Sequence, residues 1–131
     1  MNRDARSLVE GFCRAINERN LDRFDDVVAS DYRQREPSLP QGRVGLKAAM
    51  SGFLAAFADL SVEIDELLFD RSVVGGSFRW RGTHTGEFLG IAPTNRHVEF
   101  MAADFWVVRD EMLAEHWGVT DVSLLIDLSE S

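Results

Sequence analysis

The sequence predicts an α+β domain in which helices come first and then cover one face of an antiparallel sheet. In the first half, apolar residues recur at the three-and-four spacing of amphipathic helices, and from Ser61 onward the period changes to two. Helices followed by consecutive strands are typical of the α+β class. With 131 residues, 45% of them hydrophobic, the chain has the length of one domain, residues 1–131, with one core.

Three helices are predicted in the first half. The first runs from about Asp4 to Glu18, with Leu8, Phe12 and Ile16 on its apolar side. A short second helix fits residues 21–29, and a third runs from about residue 45 to 57. The stretch from 32 to 45 between them contains two prolines and two glycines, which predicts a loop.

Four strands are predicted in the second half. They follow one another with short turns at 69–72 and 109–111, as in an antiparallel meander. Their expected ranges are 62–69, 72–83, 97–108 and 112–122.

Alternation along these strands sorts the side chains between two faces of the sheet. One face combines large aromatic residues with a few ionisable groups, which is the composition of a small-molecule pocket. Its members are Phe78, Trp80, His84, Ala102, Asp104, Trp106, Ala114, His116 and Gly118.

The opposite face is too apolar for open water and too charged for a core. It carries Phe105, Val107, Trp117 and Val119 beside charged residues that include Arg79 and Arg81. Aromatic residues and arginine are enriched at protein interfaces, so this face predicts a homodimer contact formed by Phe105, Val107 and Trp117.

Charge and hydropathy exclude several classes of partner. The formal net charge is −8, and the basic residues are scattered, so a nucleic-acid partner is not expected. No apolar run of 18 residues and no signal-peptide run at the N-terminus are present, which predicts a cytoplasmic protein with no membrane association. The single cysteine, Cys13, falls at helical spacing with Val9 and Ile16, as in a buried inert thiol.

Several segments carry a resemblance to a known family. The run GTHTGEFLGIAPTNRHVEF, followed by ADFWVVRDEMLAEHWGVTD, resembles the signature of the SnoaL-like polyketide cyclases, within the nuclear-transport-factor-2-like superfamily. The segments AINERNLDRFDDVVASDY and FLAAFADLSVEIDELL are also similar, so the resemblance covers nearly the whole chain. It implies a cone-shaped α+β barrel, a curved sheet wrapped around helices, with a deep pocket and a dimer across the outer sheet face.

The resemblance also implies a chemistry, with one departure. The family's namesake enzymes close a ring by intramolecular aldol condensation, without metal or cofactor, using a carboxylate as general base. An apolar pocket and nearby donors to the forming enolate make such a base effective. In those cyclases the catalytic aspartate follows a segment matching Glu115, His116 and Trp117, and here that position is Gly118.

The candidate site is therefore drawn from the other residues of the inner face. Asp104 is the predicted base and His116 its partner or an alternative base, each with a purely structural role as the competing interpretation. Predicted substrate-binding residues are Tyr32, Trp80, His84 and Trp106. His84 is either exposed at the pocket mouth or structural, and the Tyr32 hydroxyl either caps the pocket or belongs to the core edge.

Three functions follow as hypotheses. The first is a cofactor-free cyclase or isomerase that abstracts a proton from a hydrophobic carbonyl compound. The second is a non-catalytic small-ligand-binding protein, and the third a hydrolase like the limonene-type epoxide hydrolases, which needs an inward arginine such as Arg14 or Arg33. No metal is expected, because the spacing of His84, Asp104 and His116 is not a recognised ligand motif.

Overall fold

A computed structural model describes residues 4–121 together with Ser123 and Leu128. Two α-helices precede most of the strands, so the predicted α+β class is confirmed. None of the helices in this part of the chain is long and apolar enough to cross a membrane. In chain order the elements are α1 (Ala5–Asn17), a 3₁₀ helix (Leu21–Asp26), β1 (Val28–Gln34), α2 (Gly42–Ala56), β2 (Ser61–Asp70), β3 (Val73–Thr83), β4 (His97–Arg109) and β5 (Met112–Thr120).

The strands form one five-stranded mixed sheet with the order β1-β5-β4-β3-β2. Strands β2 to β5 pair antiparallel as the alternation predicts, and their ranges agree with the predicted ones to within a few residues. The last strand ends at Thr120, and Val122, where it was expected to end, lies outside the described residues. β1 pairs in parallel with β5 at the edge of the sheet.

β1 corrects the sequence-based assignment of this region. Residues 21–29 were expected to form a helix and residues 32–45 a loop, whereas the helix is a 3₁₀ turn ending at Asp26 and residues 28–34 are a strand. The strand is hard to recognise because its register shifts between Val28 and Arg33. In a regular strand Ser30 would share a face with Val28 and Tyr32, but it is exposed. The buried positions are therefore spaced four apart with no buried residue on the same face between them, as in a helix.

Helix α1 packs directly on the sheet. Asp4 begins it, because its carboxylate accepts a hydrogen bond from the backbone N–H of Ser7 at 2.8 Å. The Phe12 ring lies 5.3 Å from Trp106 of β4 and 4.9 Å from Phe24, measured between centroids. Buried residues of this helix are Leu8, Val9, Phe12, Cys13, Ala15 and Ile16, so it closes one end of the inner sheet face.

Helix α2 covers the other end less completely. It begins at Gly42, three residues earlier than predicted, and buries only Leu46 and Ala56. Met50, Phe53 and Leu54 are only partly covered. These apolar residues lack full contact because a cavity separates the helix from the sheet.

Irregular pairing bends the sheet around this cavity. Registers shift between Ile64 and Glu66 on β2 and between Val107 and Val108 on β4. At the first shift, a Cβ on Gly76 would collide with the backbone of Glu66, so only glycine permits the close approach of the strands. Such bulges increase local twist, which produces the concave inner face expected from the resemblance.

Candidate active site

The cavity between α2 and the concave sheet has a volume of about 250 Å³. Most of its wall is apolar, and its polar groups come from β1, β4 and β5, which lie next to one another in the sheet. A mainly apolar cavity with a few convergent polar groups is the usual form of a small-molecule site. The lining residues are Gln34, Leu39, Pro40, Leu46, Ala49, Met50, Phe53, Trp80, Phe100, Ala102, Asp104, His116 and Thr120.

Sequence periodicity explains the two apolar walls. Leu46, Met50 and Phe53 recur at helical spacing and so lie on one side of α2. The facing wall is formed by Trp80 and Phe100, which are cross-strand partners and stack with ring centroids 6.0 Å apart and planes at 4°. Trp80 is thus placed in the cavity wall, where the alternation of β3 predicted it.

Asp104 and His116 form a hydrogen-bonded pair in this cavity. The His116 Nε2 atom lies 2.7 Å from Asp104 Oδ1, and the side chains are 17% and 18% exposed, respectively. They meet because Asp104 pairs with Gly118, two residues beyond His116 on the same face of β5. The Asp104 Oδ2 atom makes no hydrogen bond with any described residue and is available to a ligand.

Gln34 is the third polar residue of the site and was missed by the sequence analysis. Its Oε1 atom lies 2.6 Å from His116 Nδ1, so the two ring nitrogens of His116 face Gln34 and Asp104. The parallel pairing of β1 with β5 places Gln34 opposite His116. No signal in the sequence identified it, because the strand that carries it was interpreted as a loop.

Gly118 makes room for the Asp104 carboxylate. A Cβ at position 118 would lie 2.5 Å from Asp104 Oδ1 and 2.6 Å from the carbonyl oxygen of Ala103. Carbon and oxygen atoms do not approach so closely without displacing one another. Gly118 and the carboxylate of its cross-strand partner Asp104 are therefore two parts of one arrangement.

Tyr32 and Trp106 lie one layer beneath the cavity lining. They are 1% and 2% exposed, and Trp106 Nε1 donates a hydrogen bond of 3.0 Å to the Tyr32 hydroxyl. Both rings pack against His116, with centroids at 6.3 Å and 5.4 Å. Burial raises the pKa of Tyr32 far above its usual range, so the hydroxyl stays neutral. The structure thus places Tyr32 in the core, the second of the two positions expected for it.

His84 is buried outside the cavity. Its ring is fully buried and absent from the cavity lining described above, so exposure at the pocket mouth is wrong and the structural alternative fits its position. The segment after β3 folds back, with the backbone of His84 bonded to Arg96 and Asn95, and the backbone N–H of Thr94 donates to Nδ1 at 3.2 Å. The ring also packs 5.5 Å from Phe57.

The remaining candidates lie away from the cavity. Burial raises the pKa of Cys13 to about 12, with a smaller contribution from the negative charge of Asp104. The thiol is therefore protonated and unreactive at neutral pH. The Arg33 side chain is 68% exposed and pairs with Glu115. Within the described ranges, no three His, Cys, Asp or Glu residues are grouped as metal ligands would be.

Solved structures of other proteins share this fold. Among solved structures, TsrD from Streptomyces laurentii is similar to the chain with a TM-score of 0.91 and 25% identity, over 99% of this chain and 100% of that one. AclR from Streptomyces galilaeus matches with a TM-score of 0.84 and 25% identity, over 96% of this chain and 81% of that one. A SnoaL-like polyketide cyclase from Agrobacterium tumefaciens has the same fold, with a TM-score of 0.83 and 17% identity, over 97% and 99% of the two chains.

None of the curated proteins that were compared with the chain matches it. A family model, however, agrees with the structural comparison. The family model described as SnoaL-like polyketide cyclase matches residues 7–126, which is nearly the whole chain. The protein therefore belongs to the SnoaL-like polyketide cyclase family, as the resemblance of its late strands predicted.

Proposed function

We propose that the protein is a cofactor-free enzyme that removes a proton from the carbon next to the carbonyl group of a hydrophobic compound, as a cyclase or isomerase does. The observation that carries the proposal is the Asp104–His116 pair within an apolar cavity. Asp104 is the proposed base. Its Oδ1 atom is held by His116, while Oδ2 has no hydrogen-bond partner among the described residues and lies at the cavity.

The bond changes in this step balance within the cavity. Asp104 Oδ2 takes the proton, the C–H bond breaks, and its electron pair moves through the new C–C double bond to the carbonyl oxygen as an enolate. In an aldol ring closure, the enolate carbon bonds to a second carbonyl carbon of the same molecule, and the alkoxide formed there takes the proton back from Asp104. In an isomerisation of an unsaturated ketone, Asp104 returns the proton to the far carbon of the dienolate. Either event restores the carboxylate. A positioned carboxylate contributes about 10²–10⁴-fold to such a transfer.

The size and charge of the cavity limit the substrate. An apolar cavity of about 150 Å³ holds a benzene ring, so about 250 Å³ encloses a ligand portion of about two fused rings. No lysine or arginine is present in the lining described here. We therefore expect a neutral aromatic or alicyclic ketone or ester rather than a carboxylate or phosphate.

The test uses 2-tetralone, a two-ring ketone with acidic protons beside its carbonyl group. We expect the wild-type protein to accelerate exchange of these protons in D₂O, followed by ¹H NMR, and the Asp104→Asn variant to lose about 100-fold or more of that acceleration. Asparagine keeps an oxygen for the His116 N–H, so thermal unfolding should confirm that the variant is folded.

Two results would contradict the proposal. One is exchange by Asp104→Asn at the wild-type rate, and the other is tight binding of 2-tetralone by the wild type with no exchange, which favours a binding protein. The epoxide hydrolase alternative finds no support in the geometry. Arg79 and Arg81 pair with Glu99 on the outer face, and no arginine reaches the described lining.

We further propose a homodimer through the outer face of β4 and β5. The Phe105 and Trp117 rings stack there with centroids 5.7 Å apart, and the Arg35 guanidinium lies 3.7 Å above the Trp117 ring. Val119 beside them is 71% exposed. Flat aromatic and arginine surface next to an exposed valine has the composition of interface centres.

A charge at the centre of this surface tests the dimer. Val119→Asp should give a monomer at micromolar concentration where the wild type gives a dimer, because an unpaired carboxylate would be buried between copies. Light or X-ray scattering measures the mass directly. Val119 is exposed in the isolated chain, so the substitution itself should not lower the unfolding temperature of the monomer. A wild-type protein that is monomeric would contradict the proposal.

A further inference from the structure

We infer that Gln34 donates the hydrogen bond that stabilises the enolate oxygen in the proposed reaction. The inference rests on the proposed function, because it assigns the second half of the same chemical step. Gln34 lines the cavity, and its side-chain oxygen is occupied by His116 Nδ1 at 2.6 Å. The amide nitrogen of the same group makes no hydrogen bond with any residue in the described part of the chain, so its two N–H donors are open to a ligand.

His116 determines which end of the Gln34 amide faces the ligand. The Gln34 oxygen faces Nδ1 at 2.6 Å and the Asp104 Oδ1 atom faces Nε2 at 2.7 Å. The nitrogen of the Gln34 amide is therefore the end that points away from the ring. The other contacts of the ring are with Tyr32 and Trp106, which bring no charge.

The backbone of Gln34 is also fixed. The Gln41 side chain accepts from the Gln34 backbone N–H at 2.9 Å and donates to its carbonyl oxygen at 3.1 Å. These contacts hold the end of β1 against the beginning of α2. A donor whose position is set before the reaction stabilises a developing negative charge without further reorganisation.

The three side chains thus present complementary groups to one substrate. Asp104 offers an acceptor at one end of His116, and Gln34 offers a donor at the other. A carbonyl compound places its C–H and its oxygen on neighbouring atoms, so one imidazole ring spans the distance between the two groups that act on them. Thr120 is a further hydroxyl in the lining and is the competing donor.

Binding of 2-naphthol tests the inference without turnover. Its ionised form imitates the enolate of 2-tetralone, and the Asp104→Asn background imitates the carboxyl group after it has taken the proton. Absorption spectra distinguish bound naphtholate from bound naphthol. Adding Gln34→Leu should weaken naphtholate binding relative to naphthol by at least about tenfold. Naphthalene, which has no oxygen, should bind equally to both variants.

A second variant isolates the donor. Gln34→Met has a side chain of the same length with no N–H donor and no charge, and it should also weaken naphtholate binding. The assignment of Gln34 would be overturned by unchanged naphtholate binding in both variants or by a loss that occurs only in Thr120→Val. It would also be overturned if the Asp104→Asn protein bound neither naphthalene nor 2-naphthol. If Gln34→Leu loses naphthalene binding as well, Gln34→Met decides.

The two proposals fail separately. If Asp104→Asn leaves proton exchange unchanged, Asp104 is not the base, and the naphtholate measurements alone then decide whether Gln34 is a donor. Exchange that needs Asp104 but is unchanged in Gln34→Leu refutes only the donor.

Discussion

The helices α1 and α2 cover the same concave face of the sheet with opposite results. α1 buries six of its 13 residues, whereas α2 buries two of its 15, although both present apolar side chains to the sheet. Phe12 of α1 contacts Trp106 across a closed interface, and Phe53 of α2 faces Trp80 across the rim of a cavity. An amphipathic helix therefore forms part of the core or a pocket wall according to its distance from the sheet. The sequence of the helix does not specify that distance.

A matched pair of phenylalanine deletions gives the largest expected contrast between these ends. Phe12→Ala should lower the free energy of unfolding by about 3–5 kcal/mol, because it leaves a void in close packing. Phe53→Ala should lower it by less than about 2 kcal/mol, because that ring is only partly buried and lies beside an existing cavity. Urea unfolding measures both values.

Ligand binding should show the reverse order. Phe53→Ala removes part of the cavity wall and should weaken naphthalene binding about tenfold, while folded Phe12→Ala should bind normally. Equal losses of stability in the two variants would show that α2 contributes to the core as α1 does, and the comparison would fail.

The sequence predicted the closed end of the molecule better than the open end. Periodicity located α1 and strands β2 to β5, and alternation placed Trp80, Asp104 and His116 on one face, because repeated side-chain patterns report which face is covered. It could not locate β1, whose register shift hides its period, and therefore missed Gln34. The position of His84 stayed open between the pocket mouth and a structural role, because its burial depends on the fold-back of residues 84–96, a non-local contact without a periodic signal.

Gly118 is another position at which the sequence did not reveal a contact between strands. The sequence identified it as the absence of a catalytic aspartate, but its contact with Asp104 became visible only through the pairing of β4 with β5. A missing side chain on one strand and a carboxylate on its neighbour are unrelated in sequence, because they lie 14 positions apart. The pairing register of β4 and β5 is what brings them together.

Gly118→Ala tests whether that contact maintains the site. A methyl group at this position cannot fit beside Asp104 Oδ1 and the Ala103 carbonyl, so the carboxylate must leave His116. We expect exchange of 2-tetralone protons to fall about tenfold to 100-fold, with a loss of stability of about 1–3 kcal/mol from overpacking. The naphthalene affinity is the control. Exchange at the wild-type rate would show that Asp104 does not need the space that the glycine provides.

Tyr32→Phe gives the smallest expected effect on chemistry and separates the buried layer from the cavity lining. The variant removes the acceptor of the Trp106 N–H, which then stays buried without a partner. Such a group destabilises the fold by about 1–3 kcal/mol. The exchange rate should change less than about threefold, because the Tyr32 ring still supports His116 and its hydroxyl lies outside the cavity lining. A large loss of exchange at unchanged stability would instead assign the hydroxyl to the reaction, and Tyr32 would then belong to the site rather than to the core.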